Sequence, residues 1–143
     1  MRILIGALFI LLASAASAHA RWSVKTGATG VTSALVETRR AGVTYQVGLY
    51  CYDSQTPFIY FSGFPPGQGG VMTAEVIIDD ARWYRVDTQL QGYVPQGPAI
   101  APMVRELIVG LEMQVRLNSE TINFTLIGSA RSLRNALRNC FVE

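Results

Sequence analysis

In "LEMQVRL", at the start of the stretch "LEMQVRLNSETINFTLIG", apolar and polar residues alternate without a fault before the short polar turn "NSE". Leu111, Met113, Val115 and Leu117 fall on one face and Glu112, Gln114 and Arg116 on the other, and Ile122, Phe124 and Leu126 resume the apolar face on the return. Successive side chains of a strand point to opposite sides of a sheet, so this pattern buries one face only as an antiparallel hairpin laid over a core. A helix would scatter the same residues around its circumference.

The same period-two reading extends over most of the chain. "RWSVK" reads as a short first strand and "VTSALVET" as a second, although Val31, Leu35 and Thr38 also line up at helical spacing; "RRAG" then turns the chain. In "VTYQVGLYCYD" Val43, Tyr45, Val47, Leu49 and Cys51 share one face, and Thr44, Gln46, Gly48, Tyr50 and Tyr52 the other. "PFIYFSG", "VMTAEVIID" and "WYRVDTQL" are further strands, with "DDAR" as the turn between the last two. Proline and glycine mark "FPPGQGG" and "GYVPQGPAIAP" as irregular loops. "MVRELIVG" reads as a short helix closed by Gly110. Ser129 is expected to cap a second helix starting at Ala130, on which Leu133, Ala136, Leu137 and Cys140 form an apolar stripe. The expected fold is mainly β: an antiparallel sandwich or strongly curled sheet, with a C-terminal helix packed on it and one further short helix near residues 101–109.

The first 20 residues, "MRILIGALFILLASAASAHA", have the form of a secretory signal peptide: one arginine, an apolar run too short to span a bilayer, and small residues ending in Ala18-His19-Ala20. The expectation is a cleaved leader over 1–20 and a single domain over 21–143, periplasmic or secreted, with no stable membrane insertion after cleavage. Beyond the leader stand 11 of the 12 basic residues and all 10 acidic ones. A net charge near zero gives nucleic acid no electrostatic footing, so no nucleic-acid partner is expected. The one histidine, His19, belongs to the leader, which leaves no imidazole for a Ser-His or Cys-His pair, and Lys25 is the sole lysine. The expectation is a protein without catalytic, cofactor-binding or metal-binding residues.

Cys51 and Cys140 both fall on inward faces of a chain bound for an oxidising compartment, so they are expected to form a disulfide. A redox pair is the other reading, but there is no C-x-x-C and no neighbouring histidine. Asp53, Asp79, Asp80 and Asp87 do not follow a calcium-loop spacing, and Asp79-Asp80 is turn chemistry. Three features remain for partner binding. Arg131, Arg134 and Arg138 recur along one side of the last helix, where they either meet an anionic partner or are simply solvated. Phe64 and Tyr93 sit in the two Pro/Gly loops, as exposed contact residues or as aromatics tucked against the core. Asn123-Phe124-Thr125 fits a glycosylation sequon.

The early Trp22, the strand end "VGLYCYD", Ile78-Asp79-Asp80 and the closing "FTLIGSARSLRNALRNC" together resemble small bacterial periplasmic accessory proteins, namely the type VI secretion-associated accessory family and the invasion-associated locus B family. The resemblance implies a mainly β, disulfide-stapled, non-enzymatic periplasmic protein and carries over no catalytic residue. The expected function is therefore an exported binding or accessory protein whose partner is another exported or envelope protein. An inhibitor or immunity protein that plugs a secreted hydrolase is the alternative.

Overall fold

The computed structural model describes residues 21–53, 56–65 and 71–140. The expected leader over 1–20 and most of the "FPPGQGG" loop lie outside the described residues. Nine strands and two helices follow in order: β1 (Ser23–Thr26), β2 (Thr32–Arg40), β3 (Val43–Cys51), β4 (Pro57–Ser62), β5 (Val71–Ile78), β6 (Arg82–Gln91), β7 (Val94–Pro98), α1 (Ala101–Val109), β8 (Glu112–Leu117), β9 (Glu120–Thr125) and α2 (Ser129–Ala136).

All nine strands belong to one antiparallel sheet in the order β1-β2-β3-β4-β7-β6-β5-β8-β9. The sheet is strongly curled rather than split into a sandwich. Its two ends approach each other without a ladder: the Trp22 backbone N–H donates to the Ile127 carbonyl (3.0 Å), its indole Nε1 to that of Thr125 (2.9 Å), and Arg40 Nη1 to that of Thr121 (2.8 Å). Curling puts every second side chain inside. Val47, Leu49, Ile59, Phe61, Val76, Ile78, Met113, Val115 and Phe124 make the core with α1 (Met103, Val104, Leu107) and α2 (Leu133). Each fully buried side chain of this size contributes about 1.5–3 kcal/mol.

Three hairpins turn through pairs of residues with positive φ: Ala41-Gly42, Asp79-Asp80 and Asn118-Ser119. Such pairs form the type I′ geometry that matches strand twist, and aspartate and asparagine tolerate it better than most residues. "VTSALVET" is a strand, since β2 pairs with β3 from Ser33↔Tyr50 to Arg40↔Val43, which decides against helical spacing.

Two local expectations are corrected. "GYVPQGPAIAP" is not wholly irregular, because β7 lies in the middle of the sheet. Its ladder to β6 covers Val94–Gln96 and its ladder to β4 covers 96–98, so Pro98 lies beyond the first and Pro95 beyond the second. A strand that passes from one neighbour to the other midway tolerates a proline on each flank, where no N–H is needed on the unpaired side. Gly97 belongs here too, since a Cβ would collide with the Asp87 carbonyl.

Ser129, the second correction, is the first residue of α2 rather than its cap; Gly128, at φ +82°, holds the cap position. The buried Ser129 hydroxyl donates instead to the Leu107 carbonyl of α1 (2.7 Å), tying the helices together. Gly110 closes α1 as expected, with its N–H on the Glu106 carbonyl (2.8 Å), but in extended backbone. Its lack of a side chain matters for space, as a Cβ would come within 2.7 Å of Ile78 and 2.8 Å of Leu126.

Candidate functional site

Cys51 and Cys140 are disulfide-bonded, with Cα atoms 5.7 Å apart across 89 positions of sequence. The bond joins the end of β3 to the turn after α2. That turn also corrects the helix length: α2 stops at Ala136, and Cys140 reaches the core from a turn in which its N–H meets the Leu137 carbonyl (3.0 Å).

The residues read as partner-binding candidates fall in different surroundings. Arg131 and Arg134 are exposed on α2, whereas Arg138 is exposed in the turn beyond it, so the three do not form one helical ridge. Tyr93 projects from the β6–β7 hairpin at 92% exposure. Phe64 is only 4% exposed: its ring packs edge-on against Tyr45 (5.1 Å between centroids) and Phe61 (6.2 Å). Of the two readings for the first Pro/Gly loop, the tucked aromatic holds.

A more concentrated surface lies on the solvent side of β3, β4 and β7. In β3 the residues opposite the core are Gln46, Gly48 and Tyr50, with Tyr52 just past the strand; in β4 they are Phe58 and Tyr60. Register places Tyr50 beside Phe58 and Gly48 beside Tyr60, with Gln96 of β7 beside Tyr60. Rings fill the face from there. Tyr52 and Phe58 stack at 4.5 Å and 17°, and Tyr50 lies 6.2 Å from both Phe58 and Tyr60. The Tyr50 hydroxyl donates to Gln96 Oε1 (2.5 Å). Gly48 is what lets the rings lie flat, since the space of its missing Cβ is taken by the ring of Tyr60.

Two phenols of this face are held in their neutral form. Burial, reinforced by the charges of Glu37 and Tyr50, pushes the Tyr60 hydroxyl up to about 12, and burial with the charge of Tyr52 raises Tyr50 despite its bond to Gln96. Both phenols therefore stay protonated at physiological pH, as hydrogen-bonding tips on apolar rings. A shallow concavity of about 200 Å3 adjoins Phe58, lined by Asp87, Gln89, Gln91, Gln96 and Gly97. Offset rings beside amides make a mostly apolar platform with hydrogen-bonding tips. Among the described residues, no three His, Cys, Asp or Glu side chains converge so as to hold a metal ion, and no helix is long and apolar enough to cross a membrane.

Sequence periodicity contained the signal for this face, because Gly48, Tyr50 and Tyr52 alternate with the core residues of β3. What it lacked was the register that brings Phe58, Tyr60 and Gln96 beside them.

No family model matches the chain, and no curated protein matches it. Among solved structures, invasion associated protein b from Bartonella henselae is similar in fold, with a TM-score of 0.60 over 84% of this chain and 94% of that one, at 11% sequence identity.

Proposed function

We propose that this chain is an exported, non-enzymatic accessory protein that works by docking another exported or envelope protein on the aromatic face of β3, β4 and β7. The observation that carries the reading is the solvent-side cluster of Tyr50, Tyr52, Phe58 and Tyr60, with Tyr50 fixed by Gln96. A few residues supply most of the energy at protein interfaces, tyrosine being over-represented among them, and rings already ordered lose little entropy on binding. A disulfide between distant segments and a signal-peptide-like leader support export. The fold likeness to an invasion associated protein is in keeping with an accessory role.

The hydrolase-inhibitor reading draws its support from Tyr93, whose near-complete exposure at a hairpin tip suits insertion into a cleft. Affinity capture separates the two. Capture of a partner that is lost with Tyr52→Ala/Phe58→Ala and kept with Tyr93→Ala supports docking on the aromatic face; the reverse pattern supports a plug.

A further inference from the structure

At the β5–β8–β9 end of the sheet, away from the aromatic face, lies an open concavity of about 640 Å3. Its floor is the solvent side of the sheet, where Ile77, Gln114 and Asn123 share one row of the register. Its apolar wall is Leu111, 73% exposed, and Ile127, 51% exposed, brought together where the Leu126 N–H meets the Leu111 carbonyl (2.9 Å). Neither belongs to the core. Adjacent aliphatics left in water are a mark of a contact site.

Charge decides what fits. Asp79, Asp80 and Glu112 line the concavity with no lysine or arginine among its described lining residues; Arg116 stands next to the floor, its Nε donating to Gln114 Oε1 (3.2 Å) and its guanidinium lying 5.0 Å over the Trp83 ring. The site is also built in advance. Asp79 Oδ1 accepts from the backbone N–H groups of Leu111 and Glu112 (2.9 Å each), which pins the hairpin tip to the apolar wall, and Gln114 Nε2 donates to Asn123 Oδ1 (3.1 Å) across the floor. An added strand is excluded at the adjoining edge, because the Thr121 and Thr125 carbonyls of β9 already accept from Arg40 and Trp22. An occupant must enter by its side chains.

We propose that this concavity takes a basic amphipathic peptide segment of a partner protein, with an aliphatic side chain against Leu111 and Ile127 and a lysine or arginine beside Asp80 and Glu112. The site is independent of the aromatic face, so it gives the protein a second contact through which it can bridge two partners.

The test is an NMR titration of the isotope-labelled protein with three capped pentapeptides: Lys-Leu-Lys-Leu-Lys, its Leu→Ser counterpart and its Lys→Glu counterpart. The first should move the amide signals of Leu111, Gln114, Asn123 and Ile127. Both counterparts should bind about tenfold more weakly or worse, as should the first peptide to Asp80→Asn/Glu112→Gln or to Leu111→Ser/Ile127→Ser. These four side chains are solvent-facing, and a thermal melt checks that each variant keeps its fold; Asp79 is left alone because it holds the loop. Three results would overturn the proposal: unmoved groove signals, equal binding of the serine peptide, or unchanged affinity in the variants. So would an N-acetylglucosamine oligosaccharide that moves the groove signals when the lysine peptide does not.

Discussion

The ring of Tyr60 occupies the space in which a side chain at Gly48 would stand. One residue on β3 therefore sets the position of an aromatic on β4. Gly48→Ala is expected to push the ring outward and destabilise the fold by about 1–3 kcal/mol, as overpacking does. With burial relieved, the Tyr60 hydroxyl should titrate closer to 10 than to 12, which ultraviolet titration of tyrosinate reads directly.

The same raised hydroxyl predicts a pH dependence. Below pH 10 Tyr60 is protonated both folded and unfolded, so its contribution to stability is flat. Between about 10 and 12 the unfolded chain releases the proton and the folded chain retains it, and stability falls as pH rises. Tyr50 acts in the same direction. Melting curves across this window should show a smaller decline in Tyr60→Phe than in the parent protein; an identical decline would refute the assignment.

Loss of the disulfide should be costly, because it closes a long loop onto β3. Cys51→Ser and Cys140→Ser are each expected to cost about 2–5 kcal/mol, a fall in Tm on the order of 10 °C. Thiol alkylation of the native protein should give no adduct at either position, and calorimetry measures the stability difference.

Ser129 discriminates a buried donor from a helix cap. An aspartate suits a cap position but has no proton to give the Leu107 carbonyl. Ser129→Asp and Ser129→Ala should therefore both destabilise, the alanine by about 1–3 kcal/mol. Denaturant unfolding in which the aspartate variant matches the parent would restore the cap.

Arg131, Arg134 and Arg138 are exposed and lie on two different local structures. Changing all three to glutamine should shift stability by less than about 1 kcal/mol. If they contact an anionic partner, capture should fall in the variant and weaken with added salt in the parent protein. Capture that ignores both changes assigns them to solvent.

The β8–β9 hairpin was legible because its alternation is unbroken, and inward-facing Cys51 and Cys140 pointed to the disulfide. Local patterns failed where a distant neighbour decided the outcome. Pro95 and Pro98 hid β7, since their tolerance depends on where the ladders to β4 and β6 stop. Phe64 was undecided until Tyr45 and Phe61 supplied the pocket for its ring, and the Ser129 hydroxyl turned to a carbonyl 22 residues earlier in the chain. The candidate site was half visible: Tyr50 and Tyr52 stood on the outward face of β3, but Phe58, Tyr60 and Gln96 join them only through strand register.

Docking of a protein on the aromatic face is tested by a photo-crosslinking amino acid placed at Tyr52 in cells that export the chain. Tyr52 is 55% exposed and stacked on Phe58, so a reactive group there reaches whatever covers the face. One discrete protein adduct is expected from position 52, lost when Phe58→Ala is added, and none from a control at exposed Lys25. No adduct from position 52, with adducts formed instead from position 93 or 134, would contradict it.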